Sequence, residues 1–211
     1  MNTLLAIKNG SKHNVTVWIT LGATPGCLQD VTKIPYVTSG TGLVGSFILK
    51  PGKATMPYAP ETMGFNANLS FDTQPLNCPC STMPYGVNLF EFILNNAFQA
   101  GSPQETVDIS CVAGMNAMIK AELGGLTWNA GPTQPAVTVI ENGLWMLNDG
   151  KVGVYPYGCD TCTSITAPPS CPGHMPYETP QTDAICNVQR PAGNSGGVVR
   201  VTYLGPAMIP C

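Results

Sequence analysis

Alternating apolar and polar residues mark both ends of the chain. Residues 14–20 (NVTVWIT) and 198–204 (VVRVTYL) alternate with a period of two and are rich in β-branched side chains. Nowhere in the chain do apolar residues keep a period of 3.6 over three helical turns. We therefore predict a β-strand near each end and expect both strands to lie in the same core.

The same reading predicts many short strands between these two. Lys50-Pro51-Gly52-Lys53 has the residues of a type II turn, and Asn148-Asp149-Gly150-Lys151 predicts a hairpin between 144–147 and 152–155. Short strands separated by Gly and Pro turns are typical of a β-sandwich. The remaining predicted strands are 43–49, 64–71, 89–94, 106–110, 117–123 and 136–140.

One segment lacks the alternation. Residues 159–180 contain three Cys, one His and five Pro, which favours a loop held by disulfides. We predict a sandwich core formed by 1–158 and 181–211, with 159–180 as a cysteine- and proline-rich loop subdomain. The predicted fold class is thus all-β.

Composition narrows the classes of function. Only 10% of the 211 residues are charged, against about 25% in an average protein, and the net charge is -3. This excludes a disordered tail, a coiled coil and a nucleic-acid-binding protein, because no basic block is present to neutralise phosphates. No apolar stretch reaches the ~18 residues of a membrane span, and residues 1–10 do not read as a signal peptide.

Cysteine usage indicates an extracellular protein. Nine cysteines in a chain of this size are typical of disulfides formed in an oxidising compartment, and the odd number leaves at least one thiol free or paired between chains. We predict no cofactor and no metal, although Cys159, Cys162, Cys171 and His174 have the spacing of a zinc knuckle as an alternative. The disulfide candidates are Cys27, Cys78, Cys80, Cys111, Cys159, Cys162, Cys171, Cys186 and Cys211.

Residues 193–197 (GNSGG) match the G-x-S-x-G motif of serine hydrolases. That motif requires a strand before the serine and a helix after it, whereas here Arg190-Pro191 precedes and a predicted strand follows. The segment is therefore interpreted as a turn leading into a strand.

Two carboxylates stand inside apolar strands. Glu91 lies within 89–94 (LFEFIL), and Asp108 lies between Val107 and Ile109. Such residues either face solvent or line a polar groove, and the pattern alone leaves both readings open.

Several blocks, in order, resemble the thaumatin-like proteins. Residues 107–116 (VDISCVAGMN) are similar to that family's Y-D-I-S-L-V-D-G-F-N and are the most specific of them. Residues 47–53 (FILKPGK) resemble F-x-L-x-P-G-x, and 88–95 (NLFEFILN) resemble T-L-A-E-F-x-L-N. Weaker matches are 60–72, 9–18 and 199–206. The resemblance implies a thaumatin-like antiparallel β-sandwich with a disulfide-rich loop subdomain.

The resemblance also implies an acidic groove, in which this chain differs from the family at some positions. Family members that act on β-1,3-glucans carry an acidic cleft of one Arg, one Glu and three Asp. Glu91, Asp108 and Asp183 match acidic positions, whereas Asn66 stands at the Arg position and Ala113 at another Asp position. The bridge between the family's first and last strands is also missing, since its two positions hold Ser11 and Leu204.

We therefore expect a secreted, non-catalytic protein that binds a β-glucan-like carbohydrate through Glu91, Asp108, Asn66 and Asp183. One alternative is an extracellular structural protein that assembles with itself, since a weakly charged surface repels its copies little. A further alternative is a weak endo-β-1,3-glucanase. The expected partners are a polysaccharide or further copies of the chain, with no nucleic acid.

Overall fold

The computed structural model describes residues 1–73, 87–96, 105–111, 116–124, 126–130, 137–140, 144–147, 154–155, 188–190 and 195–207. These residues form β-strands and one short 3-10 helix, Val31–Lys33. The strands are β1 Leu4–Asn9, β2 Val15–Leu21, β3 Ser39–Thr41, β4 Val44–Leu49, β5 Phe65–Phe71, β6 Leu89–Leu94, β7 Glu105–Ser110, β8 Ala117–Leu123, β9 Leu126–Ala130, β10 Val137–Ile140, β11 Leu144–Leu147, β12 Val154–Tyr155, β13 Val188–Arg190 and β14 Val198–Pro206.

Two large sheets contain most of these strands. The eight-stranded sheet has the order β12-β7-β6-β5-β2-β4-β3, with β13 also paired to β7. The four-stranded sheet has the order β1-β14-β8-β9, and β10 and β11 form a separate pair. Most neighbours are antiparallel, but β1 pairs with β14 and β12 pairs with β7 in parallel. The predicted all-β sandwich is confirmed.

The core lies between the inner faces of the two sheets. Alternate residues of β2 are buried, as are Val199, Val201 and Tyr203 of β14, and all of them belong to one hydrophobic cluster. The predicted strands near the two ends of the chain therefore share a core, as expected. Phe65, Phe71 and Phe90, all fully buried, contribute its largest side chains.

The pairing of some strands differs from the prediction. β11 pairs with β10, and β12 pairs with β7, so the hairpin predicted between 144–147 and 152–155 is wrong. β1 was not predicted, because Leu4-Leu5-Ala6-Ile7 is a continuous apolar run that hides the alternate burial of Leu5, Ile7 and Asn9. β3, β9 and β13 were also missed; β3 is three exposed residues long.

The turn after β4 has the predicted geometry. Lys53 N donates to Lys50 O at 3.1 Å, and Gly52 has φ 70°, which glycine adopts without strain. The two positions of the absent family bridge also lie close together, because Gly10 N donates to Tyr203 O at 2.7 Å just before Ser11 and Leu204.

The predicted loop subdomain, 159–180, lies outside the described residues, so its boundaries stay a prediction. In the part of the chain that the structure describes, no helix is long and apolar enough to cross a membrane.

Candidate ligand-binding groove

A row of polar side chains crosses four adjacent strands of the eight-stranded sheet. Thr20 of β2 is the register partner of Asn68 on β5, Asn68 is the partner of Glu91 on β6, and Glu91 is the partner of Asp108 on β7. Register partners project to the same face of a sheet. The residues next to them in sequence, such as Ile19, Leu69, Phe90 and Ile109, are buried in the core. The polar row therefore lies on the outer face.

A second row runs parallel to the first, two residues further along each strand. Asn66 is in register with Ile93, and Ile93 is in register with Thr106. Gly22 N donates to Asn66 O at 2.9 Å, which places Gly22 at the end of this row. The two rows line a cavity of about 290 Å³, which we call the polar groove.

Three side-chain oxygens in the polar groove are buried without a partner. Thr20 Oγ1, Asn68 Oδ1 and Asp108 Oδ1 have no hydrogen-bond donor or acceptor among the described residues. Leaving a buried polar group unsatisfied costs about 1–3 kcal/mol. A hydrogen-bond donor that reached these oxygens would remove this cost.

The two carboxyl groups influence each other. Burial raises the pKa of Glu91. Burial first, and then the negative charge of Glu91, raise the pKa of Asp108 well above its usual range. No Lys or Arg is among the residues that line the polar groove in the described part of the chain. Asp108 therefore keeps its proton to a higher pH than an ordinary carboxyl and can donate a hydrogen bond, while Glu91 accepts one.

Asn66 is held at the rim of the polar groove by local contacts. Its Nδ2 donates to Oγ1 of Thr24, in the loop that follows β2. Gly22 provides the space, since a Cβ at that position would lie 2.5 Å from Asn66 Nδ2. A side chain at position 22 would therefore displace the Asn66 amide.

The structure brings together three of the four residues singled out from the sequence. Asn66, Glu91 and Asp108 line the polar groove, while Asp183 lies outside the described residues. Sequence reasoning missed Thr20 and Asn68. Their signal was the outward-facing polar position in each alternating strand, but that signal is shared by many solvated residues.

Two of the disulfide candidates lie within the described residues. Cys27 and Cys111 are buried, and neither is bonded to another cysteine there, so their part in a disulfide stays a prediction. Cys111 is 1% exposed, and burial together with the nearby charge of Asp108 raises its pKa to about 12. Both thiols thus behave as small hydrophobic side chains. The other seven, Cys78, Cys80, Cys159, Cys162, Cys171, Cys186 and Cys211, lie outside the described residues.

No candidate metal site is found in the described ranges, where no three His, Cys, Asp or Glu side chains are placed to bind an ion together. The zinc-like spacing at 159–174 lies outside those ranges.

Comparison with known proteins finds likeness in structure. No protein-family model and no curated protein sequence matches the chain. A thaumatin-like xylanase inhibitor is 11% identical, with 94% of this chain and 97% of that chain covered and a TM-score of 0.43. The protein elicitor MoHrip2 from Magnaporthe oryzae is 12% identical, with 96% and 99% covered and a TM-score of 0.39. This likeness concerns the fold and carries nothing about function.

Proposed function

We propose that this chain is a secreted, non-catalytic protein of the thaumatin-like type that binds a neutral, β-glucan-like carbohydrate in the polar groove. The observation that carries the proposal is the row of Thr20, Asn68, Glu91 and Asp108, in which three buried oxygens lack a partner.

A sugar chain has the chemistry that this row requires. Each hydroxyl both donates and accepts, so it can donate to the oxygens of Thr20 and Asn68 and accept a hydrogen bond from protonated Asp108. Adjacent strands are about 4.8 Å apart, so the row extends about 14 Å across the sheet. That length accommodates a short run of sugar residues lying across the strands. A half-buried Trp18, on the same face two residues from Thr20, offers a ring for stacking beside the row.

Hydrolysis of the bound glucan is the second candidate, because Glu91 and Asp108 are neighbouring carboxyls with different affinities for a proton. A glycosidase places its acid and its base or nucleophile on opposite sides of the scissile bond. Glu91 and Asp108 are register partners on adjacent strands about 4.8 Å apart, a spacing near the roughly 5 Å between the two carboxyls of retaining glycosidases. Binding is preferred over cleavage because Asn66 and Ala113 stand where the family resemblance implies an Arg and a further Asp.

Secretion is supported by the nine cysteines, a number typical of oxidising compartments. Assembly of the chain with itself depends only on its low charge and its odd number of cysteines, and it stays a prediction.

The test uses a substitution that changes one unpartnered oxygen. Laminarin binding is measured by isothermal titration calorimetry for the wild type, T20V and the control T41V, whose residue is exposed on edge strand β3. Valine has the shape of threonine without the hydroxyl, and Thr20 Oγ1 has no described protein partner, so T20V should not lower the melting temperature. Loss of one hydrogen bond to the ligand should weaken binding about 2- to 10-fold.

Wild-type protein that does not bind laminarin, or T20V that binds as tightly as the wild type, would contradict the proposal. Reducing-sugar release separates the two candidates. The wild type is compared with E91Q and with E61Q, which removes the same charge from an exposed residue outside the groove. Turnover that disappears only in E91Q would favour the glucanase.

A further inference from the structure

Three of the chain's nine basic residues lie on the outer face of the four-stranded sheet. Lys8 of β1 is in register with Thr202 of β14, which is in register with Lys120 of β8. Arg200 stands on the same face of β14, two residues from Thr202. Lys8 and Arg200 are exposed, and Lys120 is 36% exposed. We call Lys8, Lys120 and Arg200 the basic face.

Charge on the basic face is only partly neutralised. Glu122 Oε1 lies 3.3 Å from Lys120 Nζ. Arg200 is in register with Glu122, yet it forms no ion pair with it, and neither Arg200 nor Lys8 has an ion-pair partner among the described residues. The face thus carries three positive charges and one negative charge on a protein whose net charge is -3.

Small residues between the long ones leave a depression. Ala6, Gly10 and Ala54 line a cavity of about 460 Å³ together with the basic face. Lys8 and Lys120 stand on either side of Thr202, two strand separations or about 10 Å apart. An extended molecule can therefore lie on the small residues and meet cations at both sides.

We propose that the basic face binds an acidic polysaccharide, a linear chain of sugars that carry carboxylates. Charge complementarity requires an anion, and regularly spaced carboxylates let one chain reach cations on strands that are not adjacent. Nucleic acid fits less well, because two unpaired cations on an acidic protein would neutralise few phosphates. The site is separate from the polar groove, which lies on the other sheet, so the proposal does not depend on the proposed function.

The experiment measures binding of polygalacturonate by the intact protein at low salt. The double variant K8Q/R200Q is compared with K33Q/K50Q, which changes the net charge equally at residues that do not line the depression. K8Q/R200Q should weaken binding about tenfold or more and reduce its dependence on salt, whereas K33Q/K50Q should bind like the wild type. E122Q should tighten binding several-fold, because it frees Lys120.

Each remaining outcome decides against the proposal. Absence of wild-type binding at low salt, or equal losses in the two double variants, would overturn it. Heparin or a DNA oligomer bound more tightly than polygalacturonate, with the same dependence on Lys8 and Arg200, would show that the face recognises charge alone. If K8Q/R200Q does not fold, E122Q still tests the proposal, because the result expected for E122Q is tighter binding of polygalacturonate. The same samples titrated with laminarin test the polar groove separately.

Discussion

The hydroxyl of Tyr203 donates a hydrogen bond to Oδ2 of Asp72 at 3.2 Å. The ring of Tyr203 also stacks on Phe71, with ring centroids 5.1 Å apart. Oδ1 of Asp72 accepts from the backbone N–H of Thr16 at 2.9 Å. Because Tyr203 belongs to the four-stranded sheet and Asp72 follows β5 of the eight-stranded sheet, this one carboxylate connects the two sheets.

Removing the Tyr203 hydroxyl should therefore loosen the sandwich. We expect Y203F to lower the free energy of unfolding by about 1–2 kcal/mol, since the ring keeps its stacking and only a hydrogen bond to a charged group is lost. Y58F is the control, because the Tyr58 hydroxyl donates at 3.3 Å to Lys33 O in an exposed position and should matter less. Urea denaturation gives both values, and equal losses would contradict the role assigned to Asp72.

Several strands of this protein were predictable because buried and exposed positions alternate along the local sequence. The alternation in β2 and β14 specifies which side chains face the core whichever strand lies next to them. Pairing was less predictable, because it depends on distant segments. The parallel pairing of β1 with β14 and of β12 with β7 has no local signal, and Asn148-Asp149-Gly150-Lys151 indicated a hairpin that the strand pairing excludes.

The candidate site divides in the same way. Glu91 and Asp108 were noticeable because a carboxylate inside an apolar strand is uncommon. Thr20 and Asn68 are ordinary outward-facing residues until the register places them beside those carboxylates. The basic face was not recognisable at all, because Lys8 and Arg200 are 192 positions apart and meet only through the pairing of β1 with β14.

Asn95 ties the N-terminal strand to the eight-stranded sheet. Its Oδ1 accepts from Thr3 N at 2.7 Å, its Nδ2 donates to Thr3 O at 2.9 Å, and its backbone is in the left-handed region with φ 54°. We expect N95G to cost about 1–3 kcal/mol, because glycine adopts this backbone conformation but the two hydrogen bonds from the Asn95 side chain to Thr3 are lost. N95A should cost about 1 kcal/mol more through backbone strain. Urea denaturation ranks the variants, and N95G as stable as the wild type would contradict this account.

The buried carboxyl of Asp108 should make stability depend on pH. Because its pKa is raised on folding, the folded state holds more protons than the unfolded state from about pH 4 up to the raised value. The free energy of unfolding then falls as pH rises through that interval. D108N lacks this loss, so it should be about 1–3 kcal/mol more stable than the wild type at pH 7 and gain nothing at pH 3.

Asp30 supplies a control of opposite sign. Hydrogen bonds from the side chain and backbone of Thr32 lower the pKa of this exposed carboxyl. Its stabilising contribution is present above the unfolded pKa and is lost as pH falls, so D30N should lower stability at pH 7 rather than raise it. Thermal unfolding at several pH values measures both variants. A D108N protein that is less stable than the wild type at pH 7 would contradict the claim that the buried Asp108 carboxyl lowers the free energy of unfolding.

Gly22 should affect ligand binding through Asn66. In G22A the new Cβ would approach Asn66 Nδ2 to 2.5 Å, and the amide is the flexible end of that side chain, so it should move off Thr24 with little effect on folding. We expect weaker laminarin binding in G22A, by about 2- to 10-fold if one hydrogen bond is lost.

The double variant G22A/N66A tests the mechanism, because contacting residues give non-additive effects. If Gly22 acts only by making room for Asn66, adding G22A to N66A should change the affinity no further. A full additional loss in the double variant would mean that position 22 affects the ligand by another route.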